Sequence, residues 1–534
     1  MTLSKRWKIA LGILGGVVVA ASLAFVFGAR WASRNARELV MKSLREQFHG
    51  DVQLDSIEMK MFPTVQIAGA GVAIYLPGRD DLPPVISIKS FTAQAGWLGL
   101  LRMPRHISRL TLVGLQITIP TGQPDDADES AAAANSSGGF HGAIMDDMHV
   151  ENATLTIMPK VAGKQPQVFD IESMQAHSIS GDGKMASHTT LRSSIPPGEI
   201  HSSGTFGPWN ADIPALTPVT GDFSFPNADL STIKGISGTL SAEGHYAGVL
   251  EKIAADGSTD APNFSTDSGG HAMDLATTFH VIVDGANGET TLQPLSAHFG
   301  QTTLHATGPI AGTPGQQGNA VSMDVNATDA RIEDILLLAV KDEPAMTGDV
   351  RLNTTLVLPA GAQTDVQNEM ILRGTFSVDK VVFTDHAVEK KVNTLSMRSQ
   401  GNTGDVPDDN AASEMQGTFQ IQNGVMTFSE LKFNVPGAQV RMTGTFGLEH
   451  QDFDMRGTLD MDASLSQTTT GVKSFLLRAV NPLFAKPGGG TRIFFRLGGT
   501  EKVPIYTLDI RHKTLEKTQN QNSGKNNTAD ARSN

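Results

Sequence analysis

A chain of 534 residues exceeds what one hydrophobic core organises, so several domains or an extended array are expected. The formal charge of −13 excludes the basic face a nucleic-acid binder needs, and zero cysteines exclude disulfides, thiol nucleophiles and Cys-ligated metal. With 54 Gly, 26 Pro and only 18% charged residues, the composition favours strands and turns over long helices.

Residues 1–8 read as a cytoplasmic tip, and Ile9–Ala29 carries neither charge nor proline. As a helix this stretch extends about 32 Å, one bilayer core, with Ile9, Leu14, Val18, Leu23 and Phe27 among its anchoring side chains. Lys5, Arg6 and Lys8 before it suit a cytoplasmic N-terminus, although Arg30, Arg34 and Arg37 beyond it weaken that bias. The alternative is a cleaved signal peptide. Its apolar run is too long for that, and Gly28-Ala29-Arg30-Trp31 makes a poor cleavage site. No second long apolar run follows, which puts the rest of the chain on one side of the membrane. Ala36, Val40, Leu44 and Phe48 recur at helical spacing and predict a stalk packed on the first sheet of a domain spanning 30–120.

From Asp51 onward the dominant period is two. Ile57, Met59 and Met61 alternate with polar partners, as do Val72, Ile74 and Leu76; Leu110 and Leu112, Ile117 and Ile119, and Leu155 and Ile157 repeat the pattern. Residues 121–140 form an acidic, then Ala/Ser/Gly-rich linker, followed by a middle β region over 141–311 and a C-terminal β region over 320–512. Asp256–Gly270, Gly312–Asn319 and Gly401–Ser413 read as loops, and the polar tail 513–534 as disordered.

The clearest stretch is Gly417–Leu465. Phe419 and Ile421 alternate up to Asn423-Gly424, a two-residue hairpin signal. Met426, Phe428, Leu431, Phe433 and Val435 lead to a break at Pro436-Gly437, and Val440, Met442, Phe453, Met455, Leu459 and Met461 resume the apolar face. This predicts an antiparallel meander with one apolar side. Gly-Thr-Phe or Gly-Thr-Leu recurs at Gly204, Gly238, Gly374, Gly417, Gly444 and Gly457, at spacings too irregular for a propeller. Each glycine is expected to open a turn or bulge before an exposed Thr and an inward aromatic or Leu. Few helices are expected: one on Ile332, Ile335, Leu336 and Ala339 with Asp329 as cap, and a short one over Phe475–Val480.

The sites with sharper chemistry fail on inspection. Ser466–Ser474 lacks the glycines of a phosphate loop, and no Gly-x-Ser-x-Gly elbow occurs. The 15 histidines are scattered without metal-ligand spacing, His298 with His305 included. Asp125-Asp126 and Asp408-Asp409 sit in linker-like sequence. The chain is therefore expected not to be an enzyme and to use no metal or cofactor.

Several stretches resemble the AsmA-like proteins. At the N-terminal end these are Trp97-Leu98-Gly99-Leu100-Leu101 and Ile107-Ser108-Arg109-Leu110-Thr111-Leu112. At the C-terminal end they are Leu431–Ala438, Gly444-Thr445-Phe446-Gly447-Leu448, Asp462–Gln467, Gly471-Val472-Lys473-Ser474 and Asn481-Pro482-Leu483-Phe484. The resemblance implies a single-pass bacterial inner-membrane protein whose large C-terminal part lies in the periplasm and acts in outer-membrane and envelope biogenesis. Phospholipid or another acyl-chain lipid would be its cargo, and outer-membrane or envelope proteins its partners. The expected fold is mainly β: an N-terminal transmembrane helix, then an extended, curled antiparallel sheet forming a groove, with few short helices. Phe376, Val378, Phe419, Ile421, Phe428, Phe433, Val440, Met442 and Phe446 are the expected lining, burying hydrocarbon without a polar reader. A scaffold of stacked β-sandwiches that binds protein partners is the alternative, with the same residues as dry cores.

Overall fold

A computed structural model describes most of residues 51–509, together with Arg37, Glu38, Met41 and Arg45 of a preceding helix. Segments 97–104, 121–142, 160–165, 362–368, 405–410 and 465–485, several shorter stretches, and the ends 1–36 and 510–534 lie outside the described residues. The expected membrane span with its anchors Ile9, Leu14, Val18, Leu23 and Phe27, the helix Phe475–Val480 and the tail 513–534 therefore fall outside them too. Among the described residues no helix is long and apolar enough to cross a membrane.

The described chain is mainly β, with a large curled antiparallel sheet and two bounded α-helices. It divides into two compact units: 1–226 with 242–257 and 282–290, and 227–241 with 258–281 and 291–534.

The first unit begins with β1 (Asp51–Lys60), β2 (Val65–Tyr75), β3 (Ile86–Ala95) and β4 (Arg105–Pro120), an antiparallel meander. It continues through β5 (Ala143–Met158), β6 (Gln167–Ile179), β7 (Met185–Ser194), β8 (Pro197–Phe206) and β9 (Pro218–Asp229), antiparallel from β5 onward. The expected alternation is present: Val52, Leu54, Val72, Ile74, Leu112, Ile119 and Ile157 are all buried. One ladder departs from a pure meander. β4 and β5 run parallel, in register from Arg105 with Ala143 to Pro120 with Met158. A parallel pair needs a crossover of a dozen residues or more, which the linker 121–142 is long enough to supply. The stalk is described at four positions: Met41 packs on the cluster of Val52, Leu54 and Ile74, and Arg37 Nη2 donates to the Leu54 carbonyl at 2.6 Å.

β10 (Ile236–Ser237), β11 (Thr239–Val249), β12 (Lys252–Thr266), β13 (Met273–Asp284) and β14 (Glu289–Phe299) follow. The reading of Asp256–Gly270 as a loop is corrected here, because β12 runs through most of it. Gly257, Pro262 and the positive φ of Asn263 (61°) mark an irregular strand, which explains why composition alone pointed to a loop.

The second unit contains β15 (Thr302–Gly312), β16 (Asn319–Arg331), β17 (Met346–Leu358), β18 (Ile371–Phe383), β19 (Glu414–Gln422) and β20 (Val425–Val435). β21 (Ala438–Gly447), β22 (Asp452–Met461), β23 (Thr491–Thr500) and β24 (Pro504–Leu508) complete it. Each pairs antiparallel with the next. Asn423 and Gly424 have φ of 52° and 70°, the left-handed pair a primed hairpin turn requires, and Gly437 at 81° turns the chain after Pro436.

Helix α1 (Ile332–Ala339) lies where its periodicity placed it, but Asp329 does not cap it. The N-cap is Arg331, without a side-chain bond, because β16 carries Asp329 as an exposed strand residue. Asp334 holds the helix down instead, accepting from Gln301 N–H and Thr302 Oγ1 at 2.8 Å each. Helix α2 (His386–Ser399) was not anticipated. Its start is chemically marked: Asp385 accepts from the N–H groups of Ala387 and Val388, and Glu389 Oε2 accepts from Phe383 N–H at 2.9 Å. Its apolar face is too sparse to stand out in the sequence.

Candidate functional site

Residues directly opposite in an antiparallel ladder share a face, so the registers of β16 to β23 define the inner face of the second unit row by row. The first row is Ala330, Val350, Val378, Met415, Phe433, Val440, Leu459 and Ile493. The second is Ala327, Leu352, Phe376, Gly417, Leu431, Met442, Gly457 and Phe495. Next come Val325, Thr354, Gly374, Phe419, Phe428, Gly444, Met455 and Leu497. Met323, Leu356, Leu372, Ile421, Met426, Phe446, Phe453 and Gly499 form the fourth. All nine residues expected to line a groove thus lie on one face. It carries no charge, and its one hydroxyl, Thr354, is satisfied by the Arg373 carbonyl at 2.8 Å.

Exposure changes along this face. In the first row Val350 (2%), Val378 (0%) and Phe433 (8%) are buried in one cluster with Val392 and Leu395 of α2 and Ile332 and Ile335 of α1. In the fourth row every apolar side chain is half-buried and none is sealed. Of the nine, Val378, Phe419 and Phe433 are buried, whereas Phe376, Ile421, Phe428, Val440, Met442 and Phe446 are accessible in part. Eight strands at about 4.8 Å span about 34 Å across, longer than the roughly 15 Å of hydrocarbon in one bilayer leaflet.

The Gly-Thr-Phe motif has a different local role from the expected turn. Gly374, Gly417 and Gly457 sit inside strands and on the inner face. A Cβ on Gly417 would stand 2.7 Å from the Phe376 ring, and one on Gly457 2.7 Å from the Phe495 ring. Gly417 and Gly457 are floors on which the neighbouring strand's phenyl ring lies, the aromatic–glycine pairing known to support sheets, whereas Gly374 lies against the backbone of Asn353 and Thr354. Phe376 then meets Phe419 and Phe428 edge-on, with centroids 6.0 and 6.3 Å apart. Gly238 and Gly444 take positive φ of 130° and 143°, which glycine adopts without a Cβ clash.

The opposite face is polar. Arg351 pairs with Asp379 at 2.8 Å, and Thr355 donates to Asp324 at 2.9 Å. At one end Arg492 grips the buried Asp460 in two bonds of 2.6 and 2.9 Å. Burial pushes the Asp460 carboxyl up, but the Arg492 guanidinium more than offsets it and holds the pKa below the ordinary value.

The first unit has a contrasting feature, an open polar cavity of about 530 Å³ over β6 to β9, lined by Gln175, His188, His201, Ser203 and Asp222 among others. His245 Nδ1 lies 3.0 Å from Asp222, and His177 Nδ1 2.7 Å from Asp147, whose carboxyl that hydrogen bond holds low. Among the described residues no three His, Cys, Asp or Glu converge as metal ligands. What sequence reasoning missed is the cross-strand continuation of the apolar face through Met323, Leu352, Leu356, Leu372, Phe495 and Leu497. Alternation reveals which residues share a side within one strand, while register decides which strands share it.

No protein-family model matches this sequence, and no curated protein or solved structure matches it.

Proposed function

We propose that this chain is an AsmA-like, membrane-anchored envelope protein that carries the acyl chains of phospholipid along the inner face of its C-terminal sheet, without covalent chemistry. The observation that carries this reading is the uncharged four-row face across eight strands, half-open along one margin. An apolar face of this extent is unstable against water unless something covers it. Each methylene that leaves water for it gains about 0.8 kcal/mol. The uncharged run Ile9–Ala29 supports tethering in an inner membrane, and the stretches that resemble AsmA-like proteins support a periplasmic body.

Mass spectrometry of organic extracts from the purified chain tests this. Phospholipid should copurify with the native protein and fall at least fivefold in a Phe428→Asp, Ile421→Asp double variant that retains its β circular dichroism. A native chain free of acyl lipid, or a double variant that keeps its lipid, would overturn the reading in favour of a protein-binding scaffold.

A further inference from the structure

The last strand of the second unit is built differently from the strands before it. Among the described residues β24 pairs only with β23, and all five of its residues are exposed. Ile505 is 55%, Leu508 61%, Val503 66% and Tyr506 69% exposed, the densest group of exposed large apolar side chains among the described residues. Soluble sheets protect such edges with charge, bulges or a covering segment. The first strand, β1, has one: Arg37 occupies the Leu54 carbonyl and Met41 packs beside it. Among the described residues β24 has only Pro504.

The direction of its backbone groups follows from the hairpin. Thr500 and Val503 exchange both bonds (3.3 and 3.1 Å), and Asp509 N–H donates to the Phe494 carbonyl at 2.9 Å. Antiparallel pairing alternates, so the odd-numbered residues face β23 and the even-numbered ones face outward. The free edge therefore presents the N–H and C=O of Tyr506 and Leu508, plus the C=O of Pro504. A lipid would leave these groups unpaired, whereas a strand satisfies them.

We propose that two copies of this chain associate through β24, antiparallel about a two-fold axis beside Thr507. In that register Tyr506 stands opposite Leu508 of the partner subunit and the two exchange both hydrogen bonds. All outward groups of Tyr506 and Leu508 on both copies are then matched, and Pro504, with no N–H to give, falls outside the paired core. A contact between copies has to be self-complementary if it is to close, and β24 meets that condition. Tyr506 and Leu508 face the same side as Leu497 and Phe495, so the inner rows continue across the axis. The exposed apolar side chains of Ile505, Tyr506 and Leu508 offer about 400 Å² per copy at most, about 800 Å² for the pair, less than a stable specific interface buries. The dimer is therefore reversible. The proposal stands whether or not the inner face holds lipid.

The chain has no cysteine, so an introduced one reports a single position. Under mild oxidation the full-length Thr507→Cys variant should form a disulfide-linked dimer at least tenfold faster than Ile505→Cys. The two cysteines at 505 would lie four strand positions apart, about 13 Å, beyond the 4.4–6.8 Å Cα separation a disulfide spans. Sedimentation equilibrium of the native chain should show a concentration-dependent dimer, with a dissociation constant raised at least tenfold by Thr507→Lys, which sets two like charges opposite each other at the axis, at unchanged circular dichroism. A native chain monomeric at every concentration, or equal cross-linking at 505 and 507, would overturn the proposal.

Discussion

The two units bury alternating strands with the same chemistry and treat their inner faces differently. In the first, the segment Gly207–Thr217 turns inward between β8 and β9. Trp209 packs against Phe206 and joins both the Val52/Ile74 cluster and the Ile119/Leu250 cluster. Asn210 makes that segment tolerable inside by accepting from Ile213 N–H at 2.8 Å, while Thr217 Oγ1 accepts from Asn210 N–H at 3.1 Å. Ile119 is wholly buried as a result. In the second, α2 adds Val392 and Leu395 to the cluster around Val378 and Phe433, while the fourth row stays half-buried. Whether an apolar face is sealed or stays partly exposed is decided by the segment laid on it.

The comparison breaks most sharply at Val378, which is wholly buried in the cluster that α2 joins. Val378→Asp should cost more than about 4 kcal/mol and abolish cooperative thermal unfolding of the second unit, since it leaves an unpaired charge in a dry site. Trp209→Ala should cost about 3 kcal/mol and show as lost hydrogen-exchange protection around Ile119, with the second unit unaffected. Arg492→Gln should cost about 2 kcal/mol by denaturant melt. In the native chain that contribution is complete above about pH 4, because the Asp460 pKa is depressed, and it is lost as pH falls through the lowered value. Arg492→Gln should therefore flatten the acid limb of the stability curve. Gly417→Val should cost about 1–3 kcal/mol by displacing the Phe376 ring. Ile421→Asp, in the half-open row, should cost the least, about 1 kcal/mol in a melting experiment. If Ile421→Asp instead destabilises as much as Val378→Asp, the two rows are equally sealed and the proposed lipid-binding face is closed.

Much of this was legible in the residues. The period of two at Phe419, Ile421, Met426 and Phe428 and the turns at Asn423-Gly424 and Pro436-Gly437 are local steric facts, so they survive folding unchanged. The side on which the nine expected lining residues fall followed from the same alternation. The strand through Asp256–Gly270 was hidden because its pairing partners, not its own propensities, hold it extended. Helix α2 was hidden because Glu389, Asn393 and Ser396, polar residues on its buried face, broke the apolar stripe that reveals a helix.

The sequence by itself determined the β class, the turns and the one-sidedness of each strand, since these depend on backbone sterics and on burying one residue in two. Only the tertiary structure decided the alignment of eight strands into continuous rows, the parallel β4–β5 pair, and which rows are sealed. Those are contacts between residues far apart in the chain. Their free energy comes from packing and hydrogen-bond register, which no local pattern encodes.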